Sequence, residues 1–269
     1  MKVVALGTGV CANGYVPKAD RQPPGFLVDV GGFLVLFDCS EGIRYRLTAA
    51  GYDYGRVGHI AVTHGHPDHA ALPQFIQAKS CRRIWANDQP SFATCNIYLP
   101  RKLAEGFPAV WDWHQPENNG AYWPELTPTF VSMDDKSEQM LAPDIILHSF
   151  AVPHGFGKHP ALCYRLETPE GVIAYSGDSG MCDALVEAGM DADLYLCEAS
   201  FRIGFVDAKK YGHLTPREAG EVGKRSRAKR LRLTHYLDLD TPEAMLHDLR
   251  ESGYHGDADV ARDGDVYEI

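Results

Sequence analysis

Short apolar runs separated by glycine and proline dominate the first 40 residues of the chain. The runs Val3 to Leu6, Gly25 to Val30 and Phe33 to Phe37 have the length and composition of β-strands. The glycines and prolines between them are typical of a β-meander. A later run, Gly58 to Thr63, has the apolar character of a buried strand.

Two helix starts are well specified near the C-terminus. Thr215-Pro216-Arg217-Glu218 combines a capping box with proline at the first helical position, and Thr241-Pro242 repeats the threonine cap and the proline. The first helix is predicted to run to about Lys229 and to lead into a strand that ends at His235. Strands and helices therefore alternate in this part of the chain.

No repeat, low-complexity tract or linker divides the sequence, so one domain over residues 1–269 is expected, and its 45% apolar content is enough for a full core. Residues from about 84 to 145 have the least regular pattern and hold all four tryptophans. These are Trp85, Trp111, Trp113 and Trp123. Their rings could stack on a base or ring substrate, but packing in a local core or a subunit interface is the favoured interpretation. A homodimer is left open.

Charge changes the picture of possible partners. A net charge of −10 argues against a protein held to nucleic acid by a general positive field. One basic cluster lies within nine residues and consists of Lys224, Arg225, Arg227, Lys229, Arg230 and Arg232. Cations suit the C-terminal end of a helix, so a solvated helix end is favoured over a phosphate-binding site.

The cysteines and the N-terminus indicate a cytoplasmic protein. The seven cysteines are scattered and include no Cys-x-x-Cys pair, so neither a disulfide framework nor a separate structural zinc is expected. Glycines end the first apolar run after four residues, which is too short for a signal peptide. No segment approaches the ~18 apolar residues of a membrane span, so no membrane partner is expected.

Four metal-competent side chains occur in six consecutive residues directly after the apolar run Gly58 to Thr63. The segment reads His64-Gly65-His66-Pro67-Asp68-His69. Imidazoles are suited to zinc, and the carboxylate adds a harder oxygen donor. A solvated turn is the alternative, but a buried strand would deliver this turn to a fixed place. The segment therefore predicts half of a two-metal site.

Three further candidate ligands each follow a predicted strand: His154, Asp178 and His235. With the first cluster, their order and spacing resemble the metallo-β-lactamase superfamily, whose signature is His-x-His-x-Asp-His. The resemblance implies a four-layer αβ/βα sandwich of the α/β (α+β) class, which periodicity alone does not predict.

The resemblance also implies a ligand set for two divalent ions, with zinc expected and manganese also accepted by such sites. One ion would be held by His64, His66 and His154, the other by Asp68, His69 and His235, with Asp178 bridging both. Two such ions can share a water, lower its pKa and aim a metal-bound hydroxide at phosphorus. Asp38 is expected to accept the second N–H of a ligand histidine.

Three other motifs resemble the branch that contains ribonuclease Z and the cyclic phosphodiesterases. They are Leu6-Gly7-Thr8-Gly9, Phe37-Asp38-Cys39-Ser40-Glu41-Gly42, and Cys197-Glu198-Ala199-Ser200-Phe201 followed by Gly212-His213-Leu214-Thr215. In that branch the histidine of the last motif acts on the scissile phosphate and the glutamate orients it. The resemblance implies that His213 and Glu198 are catalytic, and Asp68 is expected to be catalytic as well as a ligand.

Two departures from ribonuclease Z bear on the substrate. Long ribonuclease Z enzymes carry an arm that grips transfer RNA between the lone metal histidine and the bridging aspartate, whereas His154 and Asp178 are only 24 positions apart. The family's Phe-Ser-x-Arg-Tyr segment is replaced here by Tyr236-Leu237-Asp238-Leu239-Asp240, which is acidic. Both departures favour a small or cyclic phosphodiester over a nucleic acid.

The sequence thus predicts a binuclear metal-dependent phosphodiesterase. The alternatives are a tRNA 3′ endonuclease that lacks the arm and uses the basic cluster, a thioester or lactone hydrolase, and a non-catalytic metal-binding module. The remaining candidates have no partner motif and are assigned to surface or structural roles: Glu41, His114, His148, His159, His247 and His255.

Overall fold

A computed structural model describes residues 1–10, 21–86, 95–114 and 128–269, without the side chains of residues 81–86 and 114. The strands are β1 Lys2–Gly7, β2 Gly25–Val30, β3 Phe33–Phe37, β4 His59–Ala61, β5 Asn96–Pro100, β6 Thr129–Met133, β7 Ser137–Ala142, β8 Ile145–His154, β9 His159–Thr168, β10 Gly171–Tyr175, β11 Leu194–Glu198, β12 Arg230–Thr234, β13 Asp257–Val260 and β14 Val266–Glu268. The helices are α1 Ile43–Ala49, α2 Leu72–Ala86, α3 Arg101–His114, α4 Asp183–Ala188, α5 Ala208–Tyr211, α6 Pro216–Ser226 and α7 Pro242–Arg250.

Two sheets, each of seven strands within the described residues, form the centre of the fold. Their strand orders are β14-β1-β2-β3-β4-β5-β6 and β13-β12-β11-β10-β9-β8-β7. In the first sheet β3 to β6 run parallel, and in the second β10 to β13 do. Parallel strands need crossover connections, which the helices supply.

Alternate residues of one strand face two different cores. In β1, Val3 and Ala5 pack between the two sheets, whereas Val4 and Leu6 pack under the helices of the first sheet. This follows from the strand period of two. Helices α1, α2 and α3 cover the first sheet, and α4, α6 and α7 cover the second. The layers are helix, sheet, sheet and helix, so the predicted four-layer sandwich is confirmed.

The element bounds agree closely with the sequence pattern, with one clear exception. Strands β2 and β3 begin and end where predicted, and Thr215 and Thr241 cap α6 and α7, with the full capping box at Thr215. Helix α6, however, ends at Ser226 and not near Lys229, because Arg227 adopts a left-handed conformation with φ 56°. The sequence has no glycine there to signal the end of the helix.

Parts of the interval from about 84 to 145 form regular elements. Its described part contains β5, α3, β6 and β7. Trp111 is buried in the core under the first sheet's helices, whereas Trp113 is 76% exposed. The side chain of Trp85 and all of Trp123 lie outside the described residues. Pro108 lies inside α3, although a proline ordinarily interrupts a helix.

The helices of the described residues are all too short or too polar to cross a membrane.

Candidate active site

The candidate site lies where strands of both sheets end. Asp38 directly follows β3, and the histidine-rich segment begins three residues after β4, its parallel neighbour. In the second sheet β10, β11 and β12 run parallel and lead to Asp178, Glu198 and His235. Because the carboxyl ends of parallel strands meet at one edge of a sheet, residues distant in sequence converge there.

A first group of donors consists of three imidazoles and one carboxylate. The Nε2 atoms of His64 and His154 lie 3.0 and 3.2 Å from Nδ1 of His66. With Asp178, these residues offer ligand atoms that all lie within 4.8 Å of one another. His64 and His154 are buried and His66 is partly exposed, so the group opens towards solvent on one side.

A second group consists of Asp68, His69 and His235, again with ligand atoms within 4.8 Å of one another. The Nε2 atoms of His69 and His235 are 3.3 Å apart, and each lies 3.7 Å from Oδ2 of Asp68. The structure thus brings together all seven residues that the sequence suggested as ligands, in the two groups expected.

Asp178 lies between the two groups. Its Oδ2 is 3.7 Å from Nε2 of His64 and 3.9 Å from Nε2 of His154. Its Oδ1 is 3.4 Å from Nε2 of His69 and 3.3 Å from Nδ1 of His235. This oxygen is buried and makes no hydrogen bond to any described residue. Such a carboxylate is costly to bury unless a cation or a hydrogen bond compensates it.

The ionisation of His64 and Asp178 suits metal binding, whereas His69 would have to release a proton first, because burial is outweighed by the carboxylates of Asp178 and Asp38 and the pKa of His69 rises to about 10. Burial and the neighbouring imidazoles lower the pKa of His64 well below its ordinary value, which keeps the ring neutral as a ligand must be. Burial raises the pKa of Asp178, but the surrounding histidines outweigh it and the net shift is downward, towards the carboxylate form. The nitrogen and oxygen donors therefore fit divalent ions of the zinc and manganese type.

Asp38 orients one of the candidate ligands, as expected. Its Oδ2 accepts hydrogen bonds of 2.7 Å each from Nδ1 of His69 and the hydroxyl of Tyr175, and its Oδ1 accepts one from the backbone N–H of Thr63. Nδ1 of His69 is thereby hydrogen-bonded to Asp38, which leaves Nε2 of His69 to face Asp68 and His235, the other members of the second group.

Beside the metal-competent groups, the partly exposed His213 pairs with the buried Glu198. Nδ1 of His213 lies 3.0 Å from Oε1 of Glu198, and the glutamate is fully buried. Burial opposes the charge on His213, but the Glu198 carboxylate outweighs it and raises the pKa of His213 to about 9. A metal ion bound nearby would lower the pKa of His213. His213 also forms a possible ligand group with Asp178 and His235.

Ser200 joins this pair to the second group and was not singled out from the sequence. Its hydroxyl donates to Oε2 of Glu198 at 2.7 Å and lies 2.7 Å from Nδ1 of His235. Glu198 also accepts backbone N–H bonds from Ser179, Ser200 and Leu214. One buried carboxylate thus fixes both His213 and, through Ser200, His235. Ser200 lies inside the motif Cys197 to Phe201, and this position in the sequence could have indicated that it is part of the site.

His159 also lies nearer the site than its surface assignment implied. It is exposed, but its ring centroid is 4.8 Å from that of His66. Strands β8 and β9 form a hairpin in which His154 pairs directly with His159. The two histidines flank a glycine-containing turn, and this spacing could have indicated that they are neighbours. His247 and His255 are exposed, and His148 lies within 3.7 Å of the carboxylates of Glu138 and Glu167.

Four of the six cations of the basic cluster are paired with acidic neighbours. Ion pairs join Arg225 to Asp183, Arg227 to Asp191, Lys229 to Asp193 and Arg232 to Asp257. Lys224 and Arg230 donate to backbone carbonyls. Only Lys224 and Arg225 lie in the last turn of α6, so the cluster extends beyond the helix end.

Comparison with known proteins identifies the family. The family described as "Beta-lactamase superfamily domain" matches residues 34–236. The chain belongs to the beta-lactamase superfamily. Together with relatives named ribonuclease Z, the match places it on the ribonuclease Z-like branch of the metallo-β-lactamase superfamily and makes it a metal-dependent hydrolase.

Three relatives illustrate the similarity of this superfamily member to known proteins. It is 30% identical to ribonuclease Z of Pyrobaculum calidifontis over 92% of this chain and 90% of that protein. It is 27% identical over the whole of both chains to the probable metallo-hydrolase YhfI of Bacillus subtilis. The crystal structure of YhfI superposes with a TM-score of 0.80, at 21% identity over 100% of this chain and 99% of that one. Human tRNase Z, short form, superposes with a TM-score of 0.74, at 25% identity over 100% and 99% of the two chains.

Proposed function

We propose that this superfamily member is a binuclear metal-dependent phosphodiesterase that hydrolyses a small or cyclic phosphodiester. The observation that carries the proposal is the position of Asp178, whose two carboxylate oxygens each face a different group of ligands. A carboxylate so placed can bridge two cations and screen their repulsion. Zinc is the proposed metal, because five of the seven donors are imidazoles.

In this proposal His64, His66 and His154 would hold one ion, Asp68, His69 and His235 would hold the other, and Asp178 would be shared by both. Two divalent ions supply Lewis acidity at the phosphate and lower the pKa of water. The protein's own residues orient this assembly. Asp38 fixes the ring of His69, and Ser200 fixes the ring of His235.

His213 favours a phosphodiester as the substrate. A departing alkoxide needs a proton, and His213, whose Nδ1 is hydrogen-bonded to the carboxylate of Glu198, is placed to donate one. A thioester or lactone hydrolase of the same fold has no evident use for the pair of His213 and Glu198. Glu198 positions His213 and favours its charged form. Asp68 acts at the second group of ligands, together with His69 and His235.

A tRNA 3′ endonuclease remains the second candidate, because the curated relatives are named ribonuclease Z. Two observations weigh against it. Only β9, a two-residue turn and β10 connect the loop after His154 to Asp178, so the region has no extended arm. Four of the six cations in the basic cluster around α6 and β12 are already paired with acidic side chains, which reduces the cluster's attraction for RNA.

We expect the purified protein to contain about two divalent ions per chain, because seven donors form two groups around Asp178. Removal of the ions with a chelator should abolish activity, and zinc should restore it. Added zinc should also raise the unfolding temperature, because a ligand that binds only the folded state stabilises it. Elemental analysis that finds no metal in folded protein never exposed to chelator would contradict the two-metal site.

We expect cyclic nucleotides and dinucleoside monophosphates to be hydrolysed with a higher kcat/KM than precursor tRNA at physiological salt. The short hairpin and the net charge of −10 are the reasons. The measurement is a side-by-side assay over a range of salt concentrations, with bis(p-nitrophenyl) phosphate as the reference substrate. Specific 3′ cleavage of precursor tRNA as the fastest reaction, with binding that falls steeply as salt is added, would establish the second candidate instead.

A further inference from the structure

Four aromatic side chains form a continuous cluster that begins at the ring of His213. We call Phe156, Phe201, Phe205 and Tyr211 the aromatic rim. The ring of Phe201 meets that of His213 edge to face, with centroids 5.4 Å apart, and stacks on Phe205 at 4.1 Å. Tyr211 contacts Phe201, Phe205 and Phe156 at centroid distances of 5.6, 5.9 and 5.2 Å.

The outer part of the aromatic rim faces solvent. Phe156 is 59% exposed and Tyr211 is 39% exposed. Large aromatic rings at the surface of a soluble protein forgo the free energy of burial, and an exposed apolar patch beside a catalytic centre marks a binding site.

Two loops hold the aromatic rim against the candidate active site. The backbone N–H of Phe201 donates to the carbonyl of Leu214, and that of Ile203 donates to the carboxylate of Asp240. Gly212 has φ 83°, and a Cβ there would lie 2.5 Å from Cα of His154, so α5 packs directly on this candidate ligand. The carbonyl of Gly212 also accepts a hydrogen bond from Nδ1 of His154 at 3.0 Å.

The backbone at Phe156 is strained. Gly155, Phe156 and Gly157 have φ of 54°, 58° and 70°, so a bulky side chain sits in the left-handed region between two glycines. A left-handed non-glycine residue costs about 1–2 kcal/mol. Strain of this kind is concentrated at functional sites, and here it places an exposed ring two residues from His154.

The charges around the aromatic rim are mainly positive, in contrast to the acidic chain as a whole. The side chains of Lys158, Arg202, Lys209 and Lys210 are exposed, and none forms an ion pair with another described residue. Asp207 is the only carboxylate in the two loop segments 155–158 and 201–212. Aromatic rings flanked by unpaired cations are the combination that binds nucleotides through their bases and phosphates.

We propose that the aromatic rim is a base-binding subsite, which stacks the nucleobase of the nucleoside that leaves the scissile phosphate. The inference rests on the proposed phosphodiesterase function. His213 would protonate the leaving oxygen, so the rings that continue outward from His213 lie beside the leaving group. The substrate is thereby a nucleotide phosphodiester, with the four cations available to any further phosphates.

The inference is tested with two matched substrates and one binding measurement. The first substrate is adenylyl-adenosine, whose cleavage products show which of its two nucleosides carries the leaving oxygen. The second is the same compound without the base on that nucleoside. Base recognition is measured as kcat/KM for adenylyl-adenosine divided by kcat/KM for the substrate without the base. Independently of chemistry, calorimetry gives the Kd of ribose 5-phosphate divided by the Kd of adenosine 5′-monophosphate.

The variants are Phe156→Asn, Tyr211→Ala and Tyr211→Phe, with Val206→Ala as the control. Asparagine tolerates a left-handed backbone, so Phe156→Asn removes the ring without lowering the unfolding temperature. We expect Phe156→Asn and Tyr211→Ala each to lower both ratios about tenfold. Tyr211→Phe keeps the ring and should keep both ratios. Val206 lies in the same loop and is 79% exposed but has no ring, so Val206→Ala should leave the ratios at the wild-type value.

The outcomes separate the subsite from the proposed function. If the protein hydrolyses the dinucleotide but neither ratio changes in the ring variants, the subsite is refuted and the phosphodiesterase stands. If no phosphodiester is hydrolysed but the ring variants weaken binding of the monophosphate, the phosphodiesterase function is refuted and the subsite stands. A wild-type protein that prefers neither the base-bearing diester nor the monophosphate would also refute the subsite.

Discussion

Asp178→Ala should lower the turnover of a phosphodiester by about 10³-fold or more and should reduce the metal content below two ions per chain. The two oxygens of Asp178 face different ligand groups, so its removal takes one donor from each. Two adjacent divalent cations would then repel without the charge that screens them; even unit charges ~4 Å apart interact by about 4 kcal/mol at an effective dielectric constant of ~20. A loss of that size corresponds to roughly 10³ in rate.

The metal-free protein provides the readout that separates this role from a structural one. Oδ1 of Asp178 is buried and makes no hydrogen bond to the described residues, so Asp178→Ala should not lower the unfolding temperature of the metal-free protein. The rise in that temperature on adding zinc should instead be lost. Asp178→Asn, which keeps the shape but not the charge, should behave like the alanine variant.

Asp183→Ala is the matched control for these variants. Asp183 lies five positions further along the chain, its side chain is 91% exposed, and it pairs with Arg225. An exposed ion pair contributes at most about 1 kcal/mol, so turnover and metal content should stay at the wild-type level. Wild-type turnover and two bound ions in Asp178→Ala would contradict the bridging role.

The convergence of the candidate ligands could be anticipated from the sequence because each follows a strand. Apolar runs predict where strands end, and the resemblance supplies the order in which those ends meet. His64, Asp178 and His235 come directly after or close to the ends of β4, β10 and β12. The pairing of His213 with Glu198 followed from a motif in the same way.

The aromatic rim could not be anticipated, because its rings are brought together by backbone conformations that the local sequence does not signal. Phe156 sits in a left-handed turn of the β8–β9 hairpin, and Tyr211 ends the four-residue helix α5. Neither conformation follows from helical or strand periodicity. The end of α6 was missed for the same reason, since Arg227 adopts the left-handed conformation that glycine usually supplies.

His213→Ala should lower the turnover of a phosphodiester with a poor alkoxide leaving group by roughly 10²-fold or more, while metal content stays near the wild-type value. A p-nitrophenolate leaving group needs little protonation, so the loss with bis(p-nitrophenyl) phosphate should be smaller. We expect this general-acid role because His213 lies beside both ligand groups. Its Nδ1 is engaged by Glu198, which leaves Nε2 to donate a proton to the leaving oxygen.

This dependence on the leaving group distinguishes a general acid from a histidine that merely packs its loop. His148→Ala is the matched control, since the side chains of His148 and His213 are 22% and 20% exposed and both lie near carboxylates. The control should show no preference between the two substrates. Because His213, Asp178 and His235 could also form a ligand group, metal analysis of His213→Ala is decisive. Loss of an ion, or equal losses with both leaving groups, would make His213 a ligand or a structural residue and would remove the main reason for preferring phosphodiesters to thioesters.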